Sequence, residues 1–334
     1  MKVVVSAPGV VKFFGEHAVV YGTGAIAASI DRRLYVTARL RNNGEVKIAA
    51  YDLSTHGVIV TLKPNGEIVV GTDYGKVIPA IAYVRKAIEL TREYLGERAG
   101  VELEIKSDMP VGAGLGTSAA VSVATVFAYA TITGHELEKR EIAKLGHRTE
   151  LTVQGAASPM DTAVATYGGL LYIKPTSSSP IIEPVRKGAE LPTVIGYVKR
   201  VATTKELVAW VRKLRDKYTK LIDQIIWAIG ELVERARVAI EKGELGTVGE
   251  LMNINHGLLE ALGVSDKRLN DMVYAARMAG AIGAKLSGAG GGGCMLALAP
   301  NKLKEVAAAI AIANGTPIIT ELGVEGVRVE KVEK

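Results

Sequence analysis

The run Gly112-Ala113-Gly114-Leu115-Gly116-Thr117-Ser118 constrains the fold more than any other part of the chain. An alternating segment, Val101-Glu102-Leu103-Glu104-Ile105, leads into it through Ser107-Asp108-Met109-Pro110, and an apolar helical run follows to about Thr133. A strand that enters a helix through glycines gathers free backbone N–H groups and the positive end of the helix dipole at one point. Such a point attracts an anion. Glycine lets the backbone come close and adopt positive φ. The Thr117 and Ser118 hydroxyls can cap the helix or touch a metal ion. Two common glycine motifs do not fit. The P-loop needs Gly-Lys-Ser/Thr, and no lysine stands here; the dinucleotide fingerprint needs G-x-G-x-x-G, and the spacing here is G-x-G-x-G. A tight turn without a ligand is the alternative.

A second run, Ser287-Gly288-Ala289-Gly290-Gly291-Gly292-Gly293, does contain G-x-G-x-x-G, but strand-like Cys294 to Leu298 follows it rather than a helix. By itself it could be a hinge. Beside the first loop, it is expected near the substrate and phosphates.

Two further clusters carry chemistry. Between Ser6 and Gly22, Lys12, Glu16 and His17 surround a glycine break between apolar runs. Charged groups in such a setting pair or do chemistry; His17 alone reads equally as a satisfied structural histidine. Between Glu150 and Gly169, Asp161 follows the turn Ala156-Ala157-Ser158-Pro159. A carboxylate there can take a proton from an attacking hydroxyl, help hold Mg²⁺, or cap the next element. Glu150 reads either as part of this cluster or as a solvated helix face.

The first third is otherwise strand-rich: Val3 to Val5, Leu34 to Leu40, Val46 to Ala50 and Val58 to Leu62, with Asn42-Asn43-Gly44 and Asn65-Gly66 expected as hairpin turns. Helices are expected from Lys76 to Leu95, Ser118 to Thr133 and Glu138 to Val153, then a strand from Thr166 to Ile173. Pro175 to Pro192 reads as a polar connector and domain boundary. A strand from Thr193 to Val201, helices from Thr204 to Gly280 and a helix from Lys302 to Ala313 complete the second half.

Composition narrows the function class. With 334 residues and 48% hydrophobic content, two packed domains are expected. No apolar run reaches the roughly 18 residues of a membrane span, and the N-terminus reads as a strand rather than a signal peptide. A soluble cytoplasmic protein with no membrane partner is expected. The net charge of +6 is spread among acids, which argues against nucleic acid as a partner. One cysteine, Cys294, excludes a disulfide framework and a multi-thiolate metal site, and its neighbours mark it as a buried strand residue.

Together the clusters resemble the GHMP kinase superfamily: P-G-x5-G-E-H near the start, P-x-G-A-G-L-G-T-S-A-A in the middle and K-L-S-G-A-G-G-G-G-C near the end. The resemblance spans nearly the whole chain. It is strongest to the archaeal mevalonate kinase family, through Gly15 to Gly22, Asn253 to Leu259 and Gly283 to Gly292. Galactokinases follow Gly-Glu-His with an Asp-Tyr pair that reads the sugar; Ala18-Val19-Val20-Tyr21 stands here instead. The resemblance implies an α+β fold of two domains, residues 1–180 (ribosomal-protein-S5-like, ATP-binding) and 181–334 (ferredoxin-like), with the active site in the cleft between them. It implies ATP and Mg²⁺ as cofactors, mevalonate as the small-molecule substrate, and admits a homodimer. Asp161 would be the base for the mevalonate 5-hydroxyl, and Ser118 and Glu150 the Mg²⁺ ligands. Pro110, Val111, Gly112, Ala113, Gly114, Leu115, Gly116, Thr117 and Ser118 would hold the triphosphate, with Ser107 on the nucleoside side. Glu16 and His17 would sit at the substrate end, and Gly288, Ala289, Gly290 and Gly291 would close over the reacting phosphates.

One departure stands out. The basic residue usual directly after Pro-Gly is replaced by Val10, and a lysine stands two positions later. In an extended segment residues 10 and 12 share a face, about 6.6 Å apart, so Lys12 is expected to steady the γ-phosphate and the catalytic aspartate. The rival readings are another GHMP enzyme (phosphomevalonate kinase, homoserine kinase or diphosphomevalonate decarboxylase) and a catalytically silent nucleotide-binding regulator.

Overall fold

The architecture grows from one long strand. A computed structural model describes residues 1–50, 58–64, 68–71, 79–110, 113–155 and 157–333. Strand β1 (Lys2–Phe14) pairs antiparallel with β2 (Ala25–Arg41), both longer than their β-branched runs suggest. Around them the strands β3 (Val46–Ala50), β4 (Val58–Leu62), β5 (Ile68–Gly71), β6 (Gly100–Ser107) and the C-terminal β13 (Arg328–Glu333) form a sheet in the order β13-β1-β2-β6-β3-β4-β5. The hairpin β7 (Leu170–Lys174) and β8 (Ile181–Val185) joins it through β2.

Helices α1 (Pro79–Leu95), α2 (Thr117–Ile132), α3 (Lys139–Gln154) and α4 (Met160–Tyr167) cover this sheet. Helix α2 is apolar nearly all round because it lies between the sheet and the other three helices: Ala119, Ala120, Val123, Ala124 and Tyr129 are all fully buried.

A second sheet holds β9 (Pro192–Val198), β10 (Gly283–Ser287), β11 (Gly293–Leu298) and β12 (Thr316–Glu321) in the order β10-β11-β9-β12, antiparallel throughout. That order is the ferredoxin-like one. Helices α5 (Thr204–Lys217), α6 (Thr219–Lys242), α7 (Leu245–Ala261) and α8 (Lys267–Met278) connect β9 to β10, and α9 (Leu303–Ile312) connects β11 to β12. The fold is therefore the expected α+β one.

Several expectations need correction. Asn42-Asn43-Gly44 is a turn but not a hairpin, because β6 inserts between β2 and β3 and pairs with both. The expected strand at Thr166 begins later: Thr166 and Tyr167 end α4, and the strand starts at Leu170. The expected connector contains β8, whose Ile181 to Val185 pairs along β7. Strand β8 and the chain's last strand, β13, both hydrogen-bond within the first sheet, so a division at residue 180 does not follow sheet membership there. Asn65-Gly66 and residues 76–78 of the expected helix lie outside the described residues.

Candidate active site

Lys12 stands near the end of β1, where the ladder to β2 slips between Lys12 and Phe14. Such an irregularity re-aims a side chain. The Lys12 ammonium lies 2.6 Å from Asp161 Oδ2 and 2.6 Å from Oδ1. Only the contact to Oδ2 has hydrogen-bond geometry; Oδ1 accepts none. Asp161 is not the cap of α4, a position held by Pro159, but sits in its first turn. There the helix dipole favours negative charge.

The first glycine loop runs alongside β1. Gly116 has φ 67 and caps α2; a Cβ on it would lie 2.8 Å from Val10 Cβ. The Val10 N–H donates to the Leu115 carbonyl at 2.8 Å. Val10 thus touches the loop while Lys12, two residues on, reaches Asp161, as residues sharing one face must. Ala113 and Leu115 are buried. Val111 and Gly112 lie outside the described residues. Ser107 bonds within its own turn, its hydroxyl donating to the Met109 carbonyl at 3.2 Å and accepting from the Met109 N–H at 3.1 Å.

On the far side of the loop, the Ser118 hydroxyl donates to Glu150 Oε1 at 2.6 Å, and the Gln154 amide reaches the same oxygen at 3.4 Å. Glu150 is only 4% exposed, so it is no solvated helix face. Burial pushes its carboxyl up to about 7; Ser118 opposes this, Asp161 adds to it and Lys12 opposes it. The geometry is that of a buried carboxylate whose neighbours do not neutralise it.

The second glycine loop divides its contacts. A Cβ on Gly288 would lie 3.5 Å from Arg200 Nη2, and one on Gly114 would lie 2.8 Å from the same nitrogen. The Arg200 guanidinium therefore stands between the two loops, and its buried Nε has no hydrogen-bond partner among the described residues. The Ala289 carbonyl accepts from His17 Nε2 at 2.9 Å. Gly291 ties the loop to two other segments: it donates to the Val264 carbonyl at 3.0 Å and accepts from the Val201 N–H at 2.9 Å. A Cβ on Gly290 would sit 2.0 Å from the Val264 oxygen.

Glu16 and His17 follow the end of β1. Glu16 does not stand open to a ligand. Its Oε1 pairs with Lys285 Nζ, both side chains almost wholly buried, and its Oε2 accepts from Asn255 Nδ2 at 3.3 Å. Lys285 also donates to the Leu286 carbonyl at 2.6 Å. Burial lowers the Lys285 pKa and Glu16 opposes that. His17 has a positive φ of 61, and burial lowers its pKa against the Ala289 carbonyl and Glu16. Its bond to a carbonyl requires a proton on Nε2. Behind this pair, His256 Nδ1 accepts from the Leu286 N–H at 3.2 Å. Burial, with Arg277 and Lys285 nearby, brings its pKa down to about 4.

Sequence reasoning passed over Lys285 and Arg200. A signal for Lys285 existed: a lysine inside the apolar strand Gly283-Ala284-Lys285-Leu286 must find an anion. Arg200 lies just past the end of β9 and carries no such mark.

Comparisons with known proteins place the chain in a family. Residues 82–169 match the GHMP kinases N terminal domain, and residues 236–315 match the GHMP kinases C terminal domain. The mevalonate kinase of Pyrococcus horikoshii is 51% identical over 99% of both chains. The structure of L. major mevalonate kinase in complex with R-mevalonate superposes with a TM-score of 0.81 at 25% identity, covering 96% of each chain. That of the Methanococcus jannaschii mevalonate kinase gives 0.80 at 29% identity, covering 96% of this chain and 98% of the other. With both domain types in order and a relative alike from end to end, this chain is a member of the GHMP kinase family.

Proposed function

We propose that this chain is an ATP-dependent mevalonate kinase, moving the γ-phosphoryl group of ATP to the 5-hydroxyl of mevalonate to give 5-phosphomevalonate. The observation that carries the reading is the Lys12–Asp161 pair, set at the phosphate loop in a chain so similar to proteins of that activity. Phosphoryl transfer needs little covalent help from protein and depends on positioning and charge neutralisation. In this reading the loop from Pro110 to Ser118 cradles the triphosphate. Arg200, reaching both loops, supplies a cation that the loop itself lacks. Asp161 accepts the hydroxyl proton as the oxygen attacks phosphorus. Lys12 offsets the charge that builds on the transferring group. Glu16, through Lys285, and His17, through Ala289, shape the mevalonate end. The work is expected to take place in the cytoplasm; no helix among the described residues is long and apolar enough to cross a membrane.

The donor set fits Mg²⁺. Ser118 and Glu150 place two oxygens 2.6 Å apart, and the buried Glu150 carboxyl has no ion-pair partner among the described residues. Mg²⁺ takes few protein ligands and fills its shell with phosphate oxygens and water; bound there, it would neutralise phosphate charge. A coupled ADP-release assay against mevalonate, phosphomevalonate, homoserine and galactose tests the reading. Turnover confined to mevalonate is expected; turnover confined to another of the four would overturn the substrate.

A further inference from the structure

Ser287 and Cys294 face each other across a rung of the β10–β11 ladder, at the mouth of the second glycine loop. Both side chains leave their own sheet and bond to the first domain. The Ser287 hydroxyl accepts from the Lys12 N–H at 3.1 Å and donates to the Lys12 carbonyl at 2.9 Å. The Cys294 thiol donates to the Ala113 carbonyl, in the phosphate loop, at 3.0 Å. Burial pushes the Cys294 pKa up to about 12, so the group stays a thiol and keeps its donor.

These bonds fall where the first domain leaves backbone unpaired. Strand β13 lines β1 only from Lys2 to Ser6. Farther along, the Val10 N–H is taken by the Leu115 carbonyl, and the two backbone groups of Lys12 are taken by one hydroxyl from the other domain. Ser287 is only 6% exposed and Cys294 2%, so water is a poor substitute for either. The rung therefore grips two separate pieces of the site: the backbone that carries the Lys12 ammonium, and the loop that would carry the phosphates.

We propose that Ser287 and Cys294 form an interdomain clasp that sets Lys12 in register with the phosphate loop, which makes them positioning residues for phosphoryl transfer. The proposal rests on the kinase reading above, because it gives Lys12 and the loop their purpose. A misplacement near 1 Å at a reacting centre can lower a rate by about 10²-fold. An unclasped enzyme should therefore bind its substrates and turn them over slowly.

The test uses the full-length chain and four variants, Ser287→Ala, Ser287→Thr, Cys294→Val and Cys294→Ser, assayed well below their melting temperatures. Ser287→Ala should lower kcat about 10- to 100-fold, with KM for ATP and mevalonate within about threefold. Ser287→Thr, which keeps the hydroxyl, should recover most of that loss. Cys294→Ser keeps a donor and should retain kcat; Cys294→Val should lose it. A second readout does not depend on turnover. Cys294 is the chain's single cysteine, so its alkylation by iodoacetamide reports opening of the clasp. Ser287→Ala should speed that alkylation at least about fivefold through local opening. Faster alkylation with no turnover of mevalonate by the parent enzyme would sustain the clasp and overturn the substrate reading. Parent-like kcat and alkylation in Ser287→Ala would overturn the clasp. Equal loss of kcat in Ser287→Ala and Ser287→Thr, with alkylation unchanged, would also overturn it, leaving Ser287 a packing residue.

Discussion

Replacing Lys285 with methionine isolates the most demanding electrostatic feature of the protein. The Lys285 side chain is fully buried and that of Glu16 is 1% exposed. Methionine keeps most of the volume and removes the charge. The Glu16 carboxylate would then be left in the interior with one side-chain donor, Asn255 at 3.3 Å, and the Leu286 carbonyl would lose its ammonium. Breaking a buried pair by removing one partner costs about 3–5 kcal/mol. A loss of about 4 kcal/mol lowers the folded-to-unfolded ratio about 10³-fold. Adding Glu16→Gln removes the stranded charge, and exchanges of a whole buried pair are often near neutral. The double variant should therefore recover at least about 2 kcal/mol of the loss. Urea unfolding of the parent, both single variants and the double variant, at one pH and salt concentration, completes the cycle. Losses below about 1 kcal/mol in both single variants would refute the reasoning, since that is the range of a solvated ion pair.

Four further outcomes are expected. Asp161→Asn should lower kcat by at least about 10²-fold while ATP binding, read by calorimetry, is largely kept; near-parent turnover would remove Asp161 as the base. Lys12→Met should lower kcat by a comparable factor, about 10²-fold or more, and an unchanged kcat would show that its charge is not used. Gly116→Ala places a Cβ 2.8 Å from Val10 Cβ at φ 67, so stability should fall by at least about 1 kcal/mol and KM for ATP should rise; a melting temperature equal to the parent's would count against this. Glu150→Gln tests the pH dependence. The Glu150 carboxyl rises from 4.5 to about 7 on folding, so between those values the folded chain holds the extra proton. Stability therefore falls as pH rises through that window. The neutral glutamine should raise the stability of the ligand-free protein by up to about 3 kcal/mol at pH 8 and by nothing at pH 4. A pH-independent difference in melting temperature would contradict it.

What could be read from the sequence was local. The strand-to-helix glycine loop is a contiguous pattern, and it sits where its neighbours imply. The reach from Val10 to Lys12 followed from alternation in an extended segment, and the Lys12 ammonium does face Asp161. Cys294 is buried in a strand, as its neighbours suggest. What could not be read depends on distant partners. Glu16 looked like a ligand contact because its partner, Lys285, lies 269 residues away. Asn42-Asn43-Gly44 looked like a hairpin because nothing nearby announces that a strand beginning at Gly100 will part β2 from β3. Strand β8 was hidden in a polar, proline-bearing stretch; among the described strands it pairs with β7 alone, and an edge is where a residue such as Pro184 can be carried.

Strand β13 has a consequence for how the protein is made. Residues 2–6 find one of their two neighbouring strands only at residues 328–333. During synthesis from the N-terminus, that flank of β1 stays open until residues 328–333 emerge. Almost every other part of both domains can form before then. An open strand flank is a template for pairing with other chains, and contacts so far apart in sequence are slow to close. A chain that folds as it is made would therefore carry that open flank until residues 328–333 are added. A ribosome-stalled or C-terminally trimmed chain lacking those six residues would carry it permanently.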